Sequence, residues 1–396
     1  MYLTSLIHRN RLFELAVRWM TGQLEPDDGR FVTEVFIFER AIIAPTVLDL
    51  LRDIQRVTNS GPIRLQRITV KDSLRDAIQA SSQGAGSRAR ALFEQYRNHP
   101  EEFFPRTPVD MVVATRADGS LFGMTRFKSI RRVAEKTSRR MADRLAGDIH
   151  FAACSLAEIR ARSAGVPLQY LYSSPETMTE EFIAAEQIVS QRFRSPQIDL
   201  RPADLRIDDV VGLKFVGTPA ELERIEEIIG EHPGASIAER EVHAGEYNDI
   251  NLLVDLNLPP VGDIVDQLAG RDWSAARERG LDPSTLREDL SHYVESGSRT
   301  VRAEIILTTF EELVESEFGR AIHEQRTVLQ RSQTPYAGRI SKNAAYIIEY
   351  LLMLALSPTV QIQEIPFKMW GRYLPETLIA TVWKLFGFEH CLGLVR

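Results

Sequence analysis

The sequence predicts a mixed α/β fold of the α+β kind, a β-sheet flanked by helices, and three observations carry the prediction. Residues 109–115 and 120–127 are β-rich on either side of Ala117-Asp118-Gly119, the pattern of a hairpin. Residues 209–217 read as a strand that runs directly into a helix start, which makes a β-α unit. Long stretches with helical apolar spacing lie before and after these strands.

Length and composition bound what such a fold can be. At 396 residues the chain is longer than one average domain and is large enough to bury a substantial core without staples. Three regions are expected: a mainly helical one over 1–104, a sheet-bearing one over 105–330 with a helical insertion at about 150–200, and a helical one over 331–396. A formal net charge of -7 excludes a whole-chain pull toward nucleic acid or an anionic membrane, so phosphate recognition would need a local cluster of Lys and Arg. The two cysteines, Cys154 and Cys391, are too far apart in sequence for a CxxC metal knuckle and too few for a disulfide framework; both read as buried thiols in a reducing compartment. Residues 1–20 interleave His8, Arg9, Arg11, Glu14 and Arg18 with apolar positions, unlike the unbroken apolar core of a secretion signal. The most apolar run, 344–356, is interrupted by Glu349 and falls short of the roughly 18 residues of a membrane span. A cytoplasmic protein with no membrane partner is the expectation.

In chain order, residues 1–100 mix helical periodicity with one strand-like run at 32–38 and carry no chemical motif. The hairpin comes next and delivers Arg126 and Lys128. Beyond it, Ile130, Val133, Thr137, Met141 and Leu145 share one helix face, while Lys128, Arg132, Lys136, Arg140 and Arg144 recur every fourth residue as a broad basic flank. Breaks at Gly165-Val166-Pro167 and Ser174-Pro175 divide the long stretch up to Arg194, and 156–194 is expected to form helices outside the sheet. After the strand at 209–217, Thr218 caps a helix with Pro219 in its first turn, Glu221 completing a capping box, and Gly230 near its stop. Residues 246–256 and 301–309 are further strands, and a helix runs from 310 to about 330. Two apolar helices, 340–356 and 376–388, must pack on the body or on a partner; a packed core is the plainer reading, and an oligomer interface through these C-terminal helices is the alternative.

Transfer of a phosphoryl or pyrophosphoryl group needs divalent metal held by carboxylates, cations that neutralise a polyphosphate, and a pocket for the acceptor. The cations on offer are Arg126, Lys128 and Lys136; the carboxylates are Asp209 at a strand start and Glu304 inside a strand. Each has a plainer reading. A basic cluster on a helix is most often a solvated face, an Asp at a strand start often caps a turn, and a mid-strand Glu needs a partner if buried, a part Arg302 would fill from the same strand face. Tyr247 reads first as a core aromatic with a satisfied hydroxyl and second as a stacking platform. His150, His232, His243 and His292 have no metal-site spacing, and His323 reads as structural or solvent-facing.

Taken in order, these fragments resemble the alarmone synthetase domain of the RelA/SpoT family, whose nucleotidyltransferase-like core moves pyrophosphate from ATP to a guanine nucleotide. Arg126-Phe127-Lys128-Ser129 with Lys136 is similar to that family's ATP-phosphate stretch, and Asp209-Val210-Val211-Gly212-Leu213-Lys214 to its metal-binding strand. Tyr247, in Glu246-Tyr247-Asn248-Asp249, resembles the Tyr on which the guanine stacks. Glu304-Ile305-Ile306-Leu307-Thr308-Thr309 resembles a later strand of that domain, and Glu317-Phe318-Gly319-Arg320-Ala321-Ile322-His323 the helix after it. The resemblance spans about 120–326. It implies a mixed-sheet nucleotidyltransferase-like core, magnesium on Asp209 and Glu304, catalysis by these two carboxylates, and nucleotide binding by Arg126, Lys128, Lys136, Lys214 and Tyr247. The implied activity is transfer of pyrophosphate from Mg-ATP to a nucleotide or an RNA end. The chain departs from the family at Lys214, Ile306, Thr308 and Asn251, where the family has Arg, Gln, Arg and His, and in the long span between Lys136 and Asp209. Those departures support the alternative of a catalytically inactive member kept as a nucleotide-binding or protein-interaction module. The family's His-Asp hydrolase motif is absent from the sequence, so no alarmone hydrolysis is expected.

Overall fold

The computed structural model describes residues 1–58, 61–82, 85–103, 106–170, 179–194, 200–245, 248–271, 273, 290–319 and 338–356. After a two-residue strand β1 (Tyr2–Leu3), helices α1 (Arg9–Met20) and α2 (Asp28–Val57) open the chain. The run 32–38, expected as a strand, lies inside α2. Its apolar residues continue a longer helical series in which Val32, Val35, Phe38, Ile42, Ile43, Val47, Leu50, Leu51 and Ile54 are all buried. A period near 3.6 sustained over 30 residues outweighs seven residues of strand propensity.

Two strands of the main sheet escaped the sequence reading, as did the two-residue strands β1 and, later in the chain, Arg206–Ile207. The first, β2 (Ile63–Val70), leads into α3 (Lys71–Ala80), with α4 (Ser87–Asn98) after it. The expected hairpin is formed by β3 (Pro108–Arg116) and β4 (Leu121–Phe127), paired antiparallel. Its turn closes through Gly119 N to Arg116 O at 3.0 Å, and Gly119 sits at φ +86, which a side chain would strain.

The long basic helix is α5 (Ile130–Ala164), capped by Ser129, whose side chain accepts from Arg132 N. It ends where Gly165 turns left-handed at φ +65. With α6 (Thr179–Arg194) it accounts for the long span before Asp209; among the described residues of 156–194 there are helices and no strand. Then come β5 (Arg206–Ile207), which pairs with β1, and β6 (Val211–Val216). Helix α7 (Pro219–Glu231) begins on the predicted capping box: Thr218 accepts from Glu221 N, and Glu221 accepts from Thr218 N at 2.7 Å. The second missed strand, β7 (Ala235–His243), precedes β8 (Asp249–Asn257), α8 (Val261–Ala269) and β9 (Thr300–Thr308). Helices α9 (Phe310–Phe318) and α10 (Arg339–Met353) complete the described chain. The remainder of the helix expected over 310–330, the helix at 376–388 and Cys391 lie outside the described residues; Cys154 is buried on α5.

Seven strands form one mixed sheet in the order β2-β3-β4-β6-β9-β8-β7, with β6 and β9 parallel and every other pair antiparallel. One face, carrying Phe122, Leu213, Phe215, Leu252, Val254, Ala303, Ile305 and Leu307, packs into the main core with α1, α2, α5, α7 and α10. The opposite face carries a smaller core. Ile68, Met111, Val113, Met124 and Val216 meet Leu74, Leu92, Phe93, Leu313 and Phe318 from α3, α4 and α9. Strand pairing puts Arg126, Gly212, Lys214, Glu304 and Ile306 on this second face too, so it passes from apolar to charged across the middle of the sheet. No described helix is long and apolar enough to cross a membrane.

Candidate functional site

The charged part of the second face is built on one row of residues across three strands. Gly212 on β6 pairs with Arg126 of β4 on one side and with Glu304 of β9 on the other, so the three occupy one row across the sheet. A Cβ at Gly212 would lie 3.8 Å from Glu304 Oε2. The Arg126 guanidinium reaches across β6 to within 3.8 Å of that oxygen. From β8, Asn251 Nδ2 donates to Glu304 Oε1 at 3.3 Å, while Asn251 Oδ1 is buried with no hydrogen-bond partner among the described residues. Arg302, expected to be the partner of Glu304, is taken elsewhere. It makes a two-pronged pair with Asp255, both contacts 2.8 Å, because the register sets these two residues directly opposite.

A second cluster forms where β4 ends and β6 begins. Lys128 N donates to Val210 O at 2.9 Å, which extends the β4–β6 pairing by one step and fixes the loop that holds Asp209. Lys128 Nζ and Lys136 Nζ both lie 2.5 Å from Asp209 Oδ2. Lys136 reaches it from the second turn of α5, so hairpin, helix start and strand start converge on one carboxylate oxygen. Asp209 Oδ1 is buried and has no partner among the described residues. Burial alone would raise the Asp209 carboxyl, but the two ammonium groups outweigh it and hold it down at about 2. Burial pushes the Lys128 ammonium down to about 8, with Arg126 acting in the same direction and Asp209 against it.

Beyond Arg126 on the same face lies a third group. Lys214, on β6, has no ion-pair partner within 4.0 Å among the described residues; burial lowers its pKa, while Glu317 and Asp249 oppose that and Arg126 and Lys71 add to it. Glu317, near the end of α9, is paired with Lys71 at the start of α3. Burial would raise Glu317, yet Lys71, Lys214 and Arg126 bring it down to about 2. At the far edge His243 Nδ1 meets Asp249 Oδ1 at 2.6 Å and its Nε2 lies 3.3 Å from Glu241, and the Asp249 hydrogen bond raises the imidazole pKa.

Of the residues singled out from sequence, the fold thus joins Lys128, Lys136 and Asp209, and separately Arg126 and Glu304, with Lys214 on the same face. Asp209 and Glu304 share no hydrogen-bond or ion-pair partner among the described residues. Tyr247 lies outside the described residues. The sequence reading missed Lys71 and gave no role to Glu317, Asp249 or His243. Lys71 had a signal: Ile63, Leu65, Ile68 and Val70 mark β2, and the lysine stands directly after it. The only described group of three residues spaced to share a metal ion is His99, Glu101 and Glu102, all exposed and remote in sequence from every residue above.

No family model matches the chain, and no curated protein sequence matches it. Among solved structures it is similar to the small alarmone synthetase 1 from Bacillus subtilis, at 14% identity and a TM-score of 0.18, over 42% of this chain and 70% of that one. What stands on its own geometry is a mixed α/β fold with polar clusters on one sheet face and a further one where β4 ends and β6 begins.

Proposed function

We propose that the chain is a magnesium-dependent nucleotide-binding protein of RelA/SpoT-like type that transfers pyrophosphate from ATP to a nucleotide or RNA acceptor. The observation that carries the reading is the convergence of Lys128, Lys136 and Asp209 beside the Arg126–Gly212–Glu304 row. These are the residues that the sequence resemblance would assign to phosphate and metal. In this reading Arg126, Lys128 and Lys136 bind the triphosphate, Lys214 adds a further positive charge, and the base of the acceptor lies toward Tyr247.

Asp209 and Glu304 would hold magnesium, and the donor set fits. Both are carboxylates, and Asp209 Oδ1 is a buried oxygen with no partner among the described residues, available to a hard cation. When bound, the ion neutralises polyphosphate charge and orients it. In the transfer, the acceptor hydroxyl oxygen bonds to the β-phosphorus of ATP, the bond from that phosphorus to the α,β-bridging oxygen breaks, and AMP leaves. Glu304 takes the hydroxyl proton, and Asn251 and Arg126 hold its carboxylate in place. Arg126, 43% exposed, stays accessible to the transferred group.

A second reading, an inactive nucleotide-binding or interaction module, is favoured by Thr308. It is fully buried, at a position where the resemblance would call for an arginine. One experiment separates the two readings. ATP binding with and without magnesium, and turnover of labelled ATP against a panel of nucleotides and RNA, are measured for wild type, Asp209→Asn and Glu304→Gln. The enzyme reading expects each variant to keep its fold and lose turnover by about a hundredfold or more, since loss of metal charge stabilisation costs several kcal/mol. Magnesium-independent ATP binding without turnover supports the module. Wild-type protein that binds no nucleotide under either condition sinks both nucleotide readings and leaves only an interaction scaffold.

A further inference from the structure

Two lysines that serve a polyphosphate have no reason to stand idle in its absence, and here they do not. Both ammonium groups of the second cluster lie 2.5 Å from one oxygen of one carboxylate, Asp209 Oδ2, while the other oxygen is buried and unpartnered among the described residues. We propose that Asp209 is a built-in counter-ion plugging the anion site of Lys128 and Lys136, so that a divalent cation and a polyphosphate bind in mutual dependence. The cation draws the carboxylate off the lysines, and the lysines then take the phosphate oxygens. The inference rests on the reading that these lysines bind phosphate, and it adds how that site is kept closed.

Four features support it. The triad is unbalanced, two ammonium groups against one carboxylate, so the site stays electropositive with the plug in place. A pyrophosphate or triphosphate group carries the additional negative charge that this arrangement lacks. The Asp209 carboxylate is not fully satisfied on the lysines: the buried Oδ1 has no partner among the described residues, whereas coordination of a cation would employ it. Access is provided on one side, because Lys136 is 45% exposed while Lys128 is only 11% exposed. The anion would enter past the flexible Lys136 stem and seat against the buried Lys128. Lastly, the frame around the plug is rigid. Lys128 N is held by Val210 O and the start of α5 by its Ser129 cap, so the side chains of Asp209 and Lys136 are free to exchange partners without moving the sheet.

Coupling of this kind is reciprocal, since whatever the cation does for the anion the anion does for the cation. It also predicts an effect that an ordinary salt bridge would not give. Removing the Asp209 charge should improve anion binding when no metal is present. The test is calorimetric titration of the intact chain with inorganic pyrophosphate in a chelator, comparing wild type, Asp209→Asn, Lys128→Met and the double variant. Asp209→Asn is expected to bind metal-free pyrophosphate about tenfold more tightly than wild type, the worth of roughly one charged hydrogen bond, and the double variant is expected to lose the gain. A second measurement needs no variant. Acylation of Lys136 in wild-type protein by an amine-specific reagent should rise on adding magnesium and fall on adding pyrophosphate.

The failures are distinguishable. If Lys128→Met weakens Mg-ATP binding but Asp209→Asn gains no affinity for metal-free pyrophosphate and magnesium leaves Lys136 labelling unchanged, the plug is wrong and the phosphate-site reading stands. If Mg-ATP binding is indifferent to Lys128→Met, the reading falls and the plug with it.

Discussion

Glu39 is the residue through which a rise in pH from the acid range to about 8 should destabilise this protein. It lies in the middle of α2 with no exposed surface, and three donors surround it. Ile7 N donates to Oε2 at 2.5 Å, His8 N to Oε1 at 2.9 Å, and the Tyr293 hydroxyl to Oε1 at 3.3 Å. Glu39 therefore ties the start of α1 and the segment before β9 to α2. Burial nevertheless dominates and pushes its carboxyl from 4.5 to about 8, against the pull of those donors and of Arg9. A carboxyl whose pKa is higher folded than unfolded stabilises the fold fully below the unfolded value, and that contribution is lost as pH rises toward the folded value. The window is therefore from pH 4.5 to about 8. At about 1.36 kcal/mol per pH unit, the gap amounts to on the order of 5 kcal/mol, a large share of an ordinary domain's 5–15 kcal/mol. The assay is urea unfolding monitored by circular dichroism at several pH values across that window, for wild type and Glu39→Gln. The variant resembles the protonated side chain and cannot ionise, so the two proteins should be similar near pH 4.5 and the variant increasingly the more stable as pH approaches 8. A difference between them that stays constant across the window would refute the assignment.

The frame of the site carries two further expected outcomes. A Cβ at Gly123 would sit 2.6 Å from the backbone oxygen of Lys214, an atom that cannot swing aside, so Gly123→Ala should push β4 off β6 and cost about 1–3 kcal/mol or more. Its melting temperature should fall clearly below wild type, and an unchanged one would mean that the strands do not approach so closely. Lys71→Met removes the paired cation from Glu317, whose folded carboxyl at about 2 is depressed from 4.5. A depressed carboxyl stabilises above its unfolded value and loses that contribution as pH falls through the folded one. Wild type should therefore lose stability between pH 4.5 and about 2 more steeply than Lys71→Met, with the variant about 1–3 kcal/mol weaker at neutral pH; parallel acid profiles would count against the pair.

How much of this was legible in the sequence depended on the range of the forces involved. The capping box at Thr218 and Glu221, the turn at Gly119 and the β3–β4 hairpin were legible because each is decided within a few residues by backbone geometry and local hydrogen bonds. The run 32–38 misled because seven residues cannot show a period that becomes plain only over all of α2. Strands β2 and β7 escaped because they are largely exposed, so burial does not sharpen their alternation into an apolar stripe. Candidate residue types were also within reach of the sequence, since the chemistry of Arg126, Lys128, Lys136, Asp209 and Glu304 is plain from their side chains alone. What only the tertiary structure decided is who meets whom. Register across three strands set Arg126, Gly212 and Glu304 in one row, gave Arg302 to Asp255 instead of Glu304, and brought Lys136 to an Asp209 that lies far beyond it in the chain. Such pairings are set by how strands align across the sheet and helices pack on it, a property of the whole fold that no local spacing encodes.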